Sequence, residues 1–384
     1  MSSGAAGLPA DVPLPGDVVA GHFRVERVLG SGGMGVVLAA IDLRSNRPVA
    51  VKLLRSGHEQ RQLERFYREA RAMGRLSTPH VVKVFEAGGA SDKPFLVMER
   101  LEGQDLAAVT KQRGVLTVRE VADCIIQACE ALSHAHAQGI VHRDVKPSNL
   151  FLHEEHGRRV LKVLDFGISK VIARDAFEHT LTSSTDGGVL GSPPYMSPEQ
   201  VRDPRTVDPR TDIWSIGVVM YKLLAGRLPY DGESVGEVFA RILERRYPSL
   251  LNTVDVPKEL DAVVARCLAK DRRERFAHVG ELAVALSPFA SPEIAAIAPP
   301  ILDRLRDEAR TVEFSDVSGP PLGVGPDAGT LTVDEPPFAP SQPPPRVSYP
   351  APIPQTVNGE VATSAGAASA SIKPPCAGQT GEVL

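Results

Sequence analysis

His142-Arg143-Asp144-Val145-Lys146-Pro147-Ser148-Asn149-Leu150, with Asp165-Phe166-Gly167 downstream, is the stretch on which the reading of this chain turns. Asp144 is a carboxylate suited to accept or orient a hydroxyl proton, and Lys146 stands two residues on as a cation. Asn149 and Asp165 are oxygen donors of the kind that hard divalent ions prefer. Either motif alone arises by chance; the two together, in this order and spacing, point to phosphoryl transfer.

Upstream, residues 22–29 and 36–41 read as two short strands, which puts Gly30-Ser31-Gly32-Gly33-Met34-Gly35 in the hairpin between them. Glycines there let backbone amides approach a phosphate chain with no Cβ in the way. A dinucleotide-binding fingerprint would need a helix directly after its glycines, whereas here strand follows strand. Lys52 ends an apolar strand over residues 48–53, and an ammonium at such a place needs a counter-charge and an anion. Within residues 59–76, Leu63, Phe66, Tyr67, Ala70, Met73 and Leu76 recur at three- and four-residue spacing, an amphipathic helix with Glu69 flanking its inward face. Residues 94–99 read as a buried strand. Residues 211–224, which include Asp212 and Trp214, are apolar nearly all round and read as a buried central helix.

With Val49-Ala50-Val51-Lys52 and Gly191-Ser192-Pro193-Pro194-Tyr195-Met196-Ser197-Pro198-Glu199-Gln200 added to these motifs, the chain resembles the eukaryotic-like Ser/Thr protein kinases of bacteria. The resemblance covers residues 22–288 and implies an α+β, two-lobed fold. Residues 22–101 would form a small antiparallel β lobe with one helix, and residues 102–288 a larger, mainly helical lobe. It implies ATP and Mg2+ as cofactors and Ser or Thr hydroxyls of proteins as substrates, because the family's Ser/Thr members carry a lysine two residues after the catalytic aspartate.

Carried onto this sequence, the resemblance makes Asp144, Lys146, Lys52 and Glu69 catalytic, with Glu69 pairing Lys52 to orient the phosphates. Asn149 and Asp165 become the metal ligands. The nucleotide lies among Leu29, Gly30, Ser31, Gly32, Gly33, Met34, Gly35, Val37, Ala50, Lys52, Met98, the backbone of Glu99 and Leu101, and Phe151. Arg143, directly before the catalytic aspartate, implies an activation segment ordered by phosphorylation, with Thr180, Thr182 and Thr185 as candidates and Thr185 favoured. Ser192 keeps a hydroxyl in reach of Asp144 and Lys146, and Glu199 is expected to pair with Arg275 as a scaffold contact.

Composition bounds the rest. Residues 289–384 hold 17 of the 33 prolines, four aromatics and a net charge of −6, which leaves +2 to the first 288 residues within a total of −4. Neither balance suggests nucleic acid as a partner, and the tail is too poor in apolar residues to offset the entropy of ordering, so it reads as mostly disordered. One stretch, residues 301–309 (ILDRLRDEA), reads either as two turns of helix or as a transient helix in a flexible tail. The tail's Ser and Thr residues beside prolines suggest phosphothreonine-binding partners, Pro343-Pro344-Pro345 an aromatic groove, and the composition as a whole a spacer.

Residues 1–21 form a disordered leader without a signal-peptide pattern, and no run of eighteen apolar residues predicts a membrane span, so a cytoplasmic location is expected. Cys124, Cys129, Cys267 and Cys376 lack metal spacing and read as reduced thiols. A homodimer made by the small lobes is a family-level expectation. Two other classes compete with an active protein kinase: a nucleotide-binding pseudokinase scaffold and a small-molecule phosphotransferase. The first would lack Lys52, Asp144 or Asp165, and the second the S-P-E and D-x-W elements; all are present.

Overall fold

Strands form where apolar side chains crowd together without helical spacing, and the computed structural model sets six of them in one antiparallel sheet. It describes residues 12–32, 35–54, 60–89, 94–155, 157–166 and 193–315; the side chains of Gln60, Arg61, Gln62, Arg65, Glu69 and residues 307–315 lie outside that description. The strands are β1 (Val18–Val19), β2 (Phe23–Gly32), β3 (Gly35–Asp42), β4 (Arg47–Leu54), β5 (Val84–Gly88) and β6 (Phe95–Glu99), in the order β1-β2-β3-β4-β6-β5. Strand β4 is buried on both faces: Val49 and Val51 join an outer cluster with Phe23 and Phe95, while Ala50 faces the main core. Its register sets Val37 opposite Lys52 and Ala50 opposite Met98.

Gly35 shows why a glycine closes the β2–β3 turn. Its φ is +149°, and a Cβ there would lie 1.9 Å from the Leu53 carbonyl oxygen, so the neighbouring strand excludes any side chain. Helix α1 (Gln60–Met73) follows β4 and buries Leu63, Phe66, Ala70 and Met73, the face its spacing anticipates. Tyr67 on its flank donates to the carbonyls of Gly88 and Gly89 at 3.1 and 3.0 Å, tying the helix to the end of β5.

The larger lobe begins with β7 (Gly103–Asp105) and α2 (Leu106–Arg113); β7 pairs with β8 (Leu150–Glu155), which pairs in turn with β9 (Arg158–Val163), in a second antiparallel sheet. Helix α3 (Val118–Ala137) starts at a capping box, where the Thr117 hydroxyl accepts from the Glu120 N–H and the Glu120 carboxylate accepts from the Thr117 N–H. After α4 (Pro198–Arg202), helix α5 (Arg210–Ala225) is buried along nearly its whole length and ends at Gly226 in the left-handed conformation. Then come α6 (Val235–Glu244), α7 (Lys258–Cys267) and α8 (Val279–Leu286). A single apolar core runs from Ala50 and Met98 through Phe166 to Trp214 and Leu282. Cys124, Cys129 and Cys267 are buried within it as free thiols, and burial pushes all three up from the usual thiol range.

The packed structure does not stop at residue 288, where the composition puts its boundary. Helix α9 (Pro292–Ala295) and helix α10 (Ala298–Ser315) follow, and Ala298 and Ile301 are fully buried against α3 and α8. Pro299 and Pro300 sit in the first turn of α10, where a helix has no use for the missing N–H. Of the two readings of residues 301–309, the docked helix is the one that forms through residue 306. The reason is burial: an Ile side chain removed from water contributes about 1.5–3 kcal/mol, which composition averaged over a Pro-rich tail conceals. Gly280 makes the approach feasible, since a Cβ there would lie 2.7 Å from the Leu302 Cα.

Candidate active site

The loop carrying Asp144 is held by a buried carboxylate from a distant helix. Asp212, in the first turn of α5, accepts the backbone N–H of His142 at 2.9 Å and of Arg143 at 2.8 Å, while His136 Nε2 lies 2.8 Å from the same carboxylate. Burial pushes the Asp212 carboxyl up, but the hydrogen bond and charge of His136, with His142 behind it, hold it below the usual aspartate range. This acceptor allows Arg143 its left-handed φ of +64°, a conformation that costs a non-glycine residue about 1–3 kcal/mol. Gln200 of α4 adds a bond from its side-chain amide to the Arg143 carbonyl at 3.0 Å.

Beyond the held backbone, three of the expected residues converge. Lys146 Nζ lies 2.8 Å from Asp144 Oδ2. The Asn149 side-chain amide donates to the Asp144 carbonyl at 2.8 Å and to its carboxylate at 3.2 Å. Only an NH2 group can serve those two acceptors, so Asn149 Oδ1 is left as an oxygen donor on the other side of the amide. Both Asp144 and Asn149 are buried, which fixes their rotamers.

Asp165 comes to the same place from the far end of β9. Its φ is +51°, and its neighbours are pinned: the Leu164 N–H donates to the Asn149 carbonyl, His142 Nε2 is 2.9 Å from the Leu164 carbonyl, and buried Phe166 packs against the His142 ring. Lys52 Nζ meets Asp165 Oδ1 at 2.7 Å, across 113 residues of sequence. Lys52 is thus paired with the carboxylate among the two expected metal ligands. Glu69 lies on α1, but its side chain is outside the described residues, as are Gly33, Met34, Thr180, Thr182, Thr185 and Ser192.

Among the residues expected around the base, Val37, Ala50, Met98 and Leu101 belong to or pack against the main core, Leu29 is exposed on β2 near the glycine turn, and half-buried Phe151 stands in β8 opposite Lys162. Glu99 is anchored through its side chain, which accepts from Lys162 Nζ and from the Lys83 N–H, each at 2.8 Å. Sequence reasoning missed that anchor, as it missed His136, Gln200 and the part Asp212 plays. A lysine at position 162 inside an otherwise apolar strand end was the available signal. Glu199 and Arg275 do form the expected pair, bidentate at 2.7 and 2.8 Å; burial raises the Glu199 carboxyl, and Arg275 outweighs it and holds the group low.

Chemically, the site presents an oriented carboxylate with an adjacent ammonium, Asp144 with Lys146, and a second carboxylate with its own ammonium, Asp165 with Lys52. Asn149 and Asp165 supply all-oxygen donors, and among the described residues no group of three or more His, Cys, Asp or Glu forms a closed metal cage. That donor set fits Mg2+, a hard cation that prefers oxygen ligands.

Residues 23–284 match the family described as "Protein kinase domain". The chain is 33% identical over 323 residues to a probable serine/threonine-protein kinase PknB of Bifidobacterium longum, covering 80% of this chain and 46% of that protein. It is 38% identical over 280 residues to the probable PknB of Corynebacterium glutamicum, covering 70% of this chain and 42% of that one. Against the serine/threonine-protein kinase PknL of Mycobacterium tuberculosis the identity is 34% over 294 residues, 75% of this chain and 71% of the relative. The chain therefore spans less than half the length of the two PknB relatives. Among the described residues no helix is long and apolar enough to cross a membrane.

Proposed function

The chain belongs to the protein kinase family, and from that premise we propose that it transfers the γ-phosphoryl group of ATP to Ser and Thr hydroxyls of proteins. The observation that carries the reading is the convergence of Asp144, Lys146 and Asn149 on one side of the cleft with the Lys52–Asp165 pair on the other. In this reading Asp144 accepts or orients the substrate hydroxyl proton and Lys146 offsets charge on the moving phosphoryl group. Lys52 binds the nucleotide's phosphates, with Glu69 as its counter-charge. Asn149 and Asp165 would hold Mg2+, which would supply charge neutralisation at the phosphates. Val37, Ala50, Met98 and the backbone of Glu99 and Leu101 receive the adenine.

Arg143 is the receptor for a phosphate on the activation segment, with Thr185 first among Thr180, Thr182 and Thr185. Ser192, Leu29 and Phe151 keep the positioning roles that the family resemblance assigns. A cytoplasmic location, phosphothreonine-binding partners for the tail and a dimer through the small lobes belong to the same reading. The test is incubation of wild type and Asp144→Asn with labelled ATP and Mg2+, followed by phosphosite mapping by mass spectrometry. Wild type is expected to label itself and a Ser/Thr protein substrate, and the variant to lose about 10^2-fold or more in rate. Equal labelling of both proteins would remove Asp144 from its role, and none on either, with ATP bound, would leave a nucleotide-binding scaffold.

A further inference from the structure

Residues beyond the matched family domain are bolted to helix α3 at two points. Near the start of α3, Asp123 Oδ1 accepts the Ser291 N–H at 2.7 Å and its hydroxyl at 3.1 Å. Two turns further on, Glu130 takes the Arg304 guanidinium in a fork, at 3.0 and 3.1 Å, and the Ser133 hydroxyl takes a third bond from it at 2.6 Å. Between the anchors, Ala298 and Ile301 are fully buried. Glu130 also pairs with His134 at 3.0 Å. The planar fork of an arginine fixes geometry as well as charge, which a lysine would not do.

The other end of the same helix reaches the catalytic loop. His136 follows Glu130 by six residues, about 9 Å along a helix, and contacts Asp212, whose carboxylate holds the His142 and Arg143 amides next to Asp144. Helix α3 is therefore gripped on one side by the C-terminal segment and on the other by the carboxylate that sets the loop.

We propose that residues 291–306 are a strut that fixes helix α3 and through it the catalytic loop, with Arg304 as a positioning residue for phosphoryl transfer. Its effect on turnover rests on the kinase reading above; its effect on the loop does not. Rigid secondary elements transmit such holds, and changes along them shift a distant site by about 2- to 30-fold. A misplacement of an ångström at a reacting group is enough to slow chemistry by as much as about 10^2-fold.

The experiment uses the full chain as wild type, Arg304→Ala, Arg304→Lys and the exchanged pair Glu130→Arg with Arg304→Glu. Backbone hydrogen exchange is read at residues 142–144 and in α3, and kcat and KM for ATP are measured alongside. Arg304→Ala is expected to speed exchange at residues 142–144 severalfold and to lower kcat with little change in KM. Arg304→Lys should recover only part of the loss, and the exchanged pair more of it. Faster exchange confined to residues 291–306, with the loop unchanged, would overturn the proposal and reduce the segment to a local stabiliser. If the wild type transfers no phosphate, the kinase reading fails while the exchange data still decide the strut.

Discussion

At the scale of single residues, the site depends on groups that serve a neighbour rather than the reaction. Asp212 is the clearest: replacing it with Ala leaves His136 unpaired and two loop amides without an acceptor. Breaking one partner of a buried pair costs about 3–5 kcal/mol, so Asp212→Ala should lower unfolding stability in urea by that order and abolish turnover. Because the folded carboxyl is held below its ordinary value of 3.8, its contribution is whole above that value and is lost as pH falls through the lower folded one. The stability gap between wild type and Asp212→Asn should therefore shrink below about pH 4.

Lys270 is also held below its ordinary value, here by burial and neighbouring cations rather than by a partner. Burial, with Arg275 and Arg202 nearby, brings its ammonium from 10.5 down to about 8, while Nζ sits over the Trp214 and Tyr230 rings and donates to the Ile242 carbonyl. Between those two values the unfolded chain binds a proton that the folded chain has lost, so this group makes stability rise with pH across that window. In Lys270→Met the urea midpoint should lack that rise. A candidate residue was legible where a motif carries it, as with Asp144 and Lys146. It was hidden where a buried residue works through its partners, as Asp212 does inside a helix whose apolar surface suggested scaffold alone.

Elements were legible in proportion to how strongly their pattern repeats. Strands β2 to β4 and helix α1 lie within a few residues of their expected bounds, because a half-buried strand or an amphipathic helix writes its period into the sequence. Close packing between elements writes nothing comparable. Gly280 looks like a weak point in α8, and an Ala there would gain about 1 kcal/mol in helix propensity. Its Cβ, however, would meet the backbone of α10 at 2.7 Å, and overpacking of that kind costs about 1–3 kcal/mol. Gly280→Ala is thus expected to destabilise the full chain in urea unfolding; a gain would mean that α10 shifts away without cost. The capping box of α3 is a local feature by contrast, and Thr117→Ala should cost about 1 kcal/mol.

On the scale of the whole molecule, the boundary of the folded domain is the testable matter. A chain ending at residue 288 would expose the sites on α3 and α8 that Ala298 and Ile301 fill and would leave Glu130 without Arg304. It should be less stable than a chain ending at residue 315 by about 2 kcal/mol or more, seen as a lower Tm in calorimetry; equal melting temperatures would show that the C-terminal helix adds nothing to the fold. By itself the sequence determined the family, the two-lobed α+β class, strands β2, β3, β4 and β6 with helix α1, and the candidates for the reacting side chains. All of these depend on periods and motifs contained within short stretches of chain.

Only the tertiary structure decided that Lys52 meets Asp165, that Asp212 holds the loop at His142 and Arg143, and that Arg304 reaches Glu130 across 174 residues. The physical reason is that a charged residue on a helix has the same local sequence signature whether its face is solvated or docked. Which of the two it is depends on how elements far apart in the chain stack against one another.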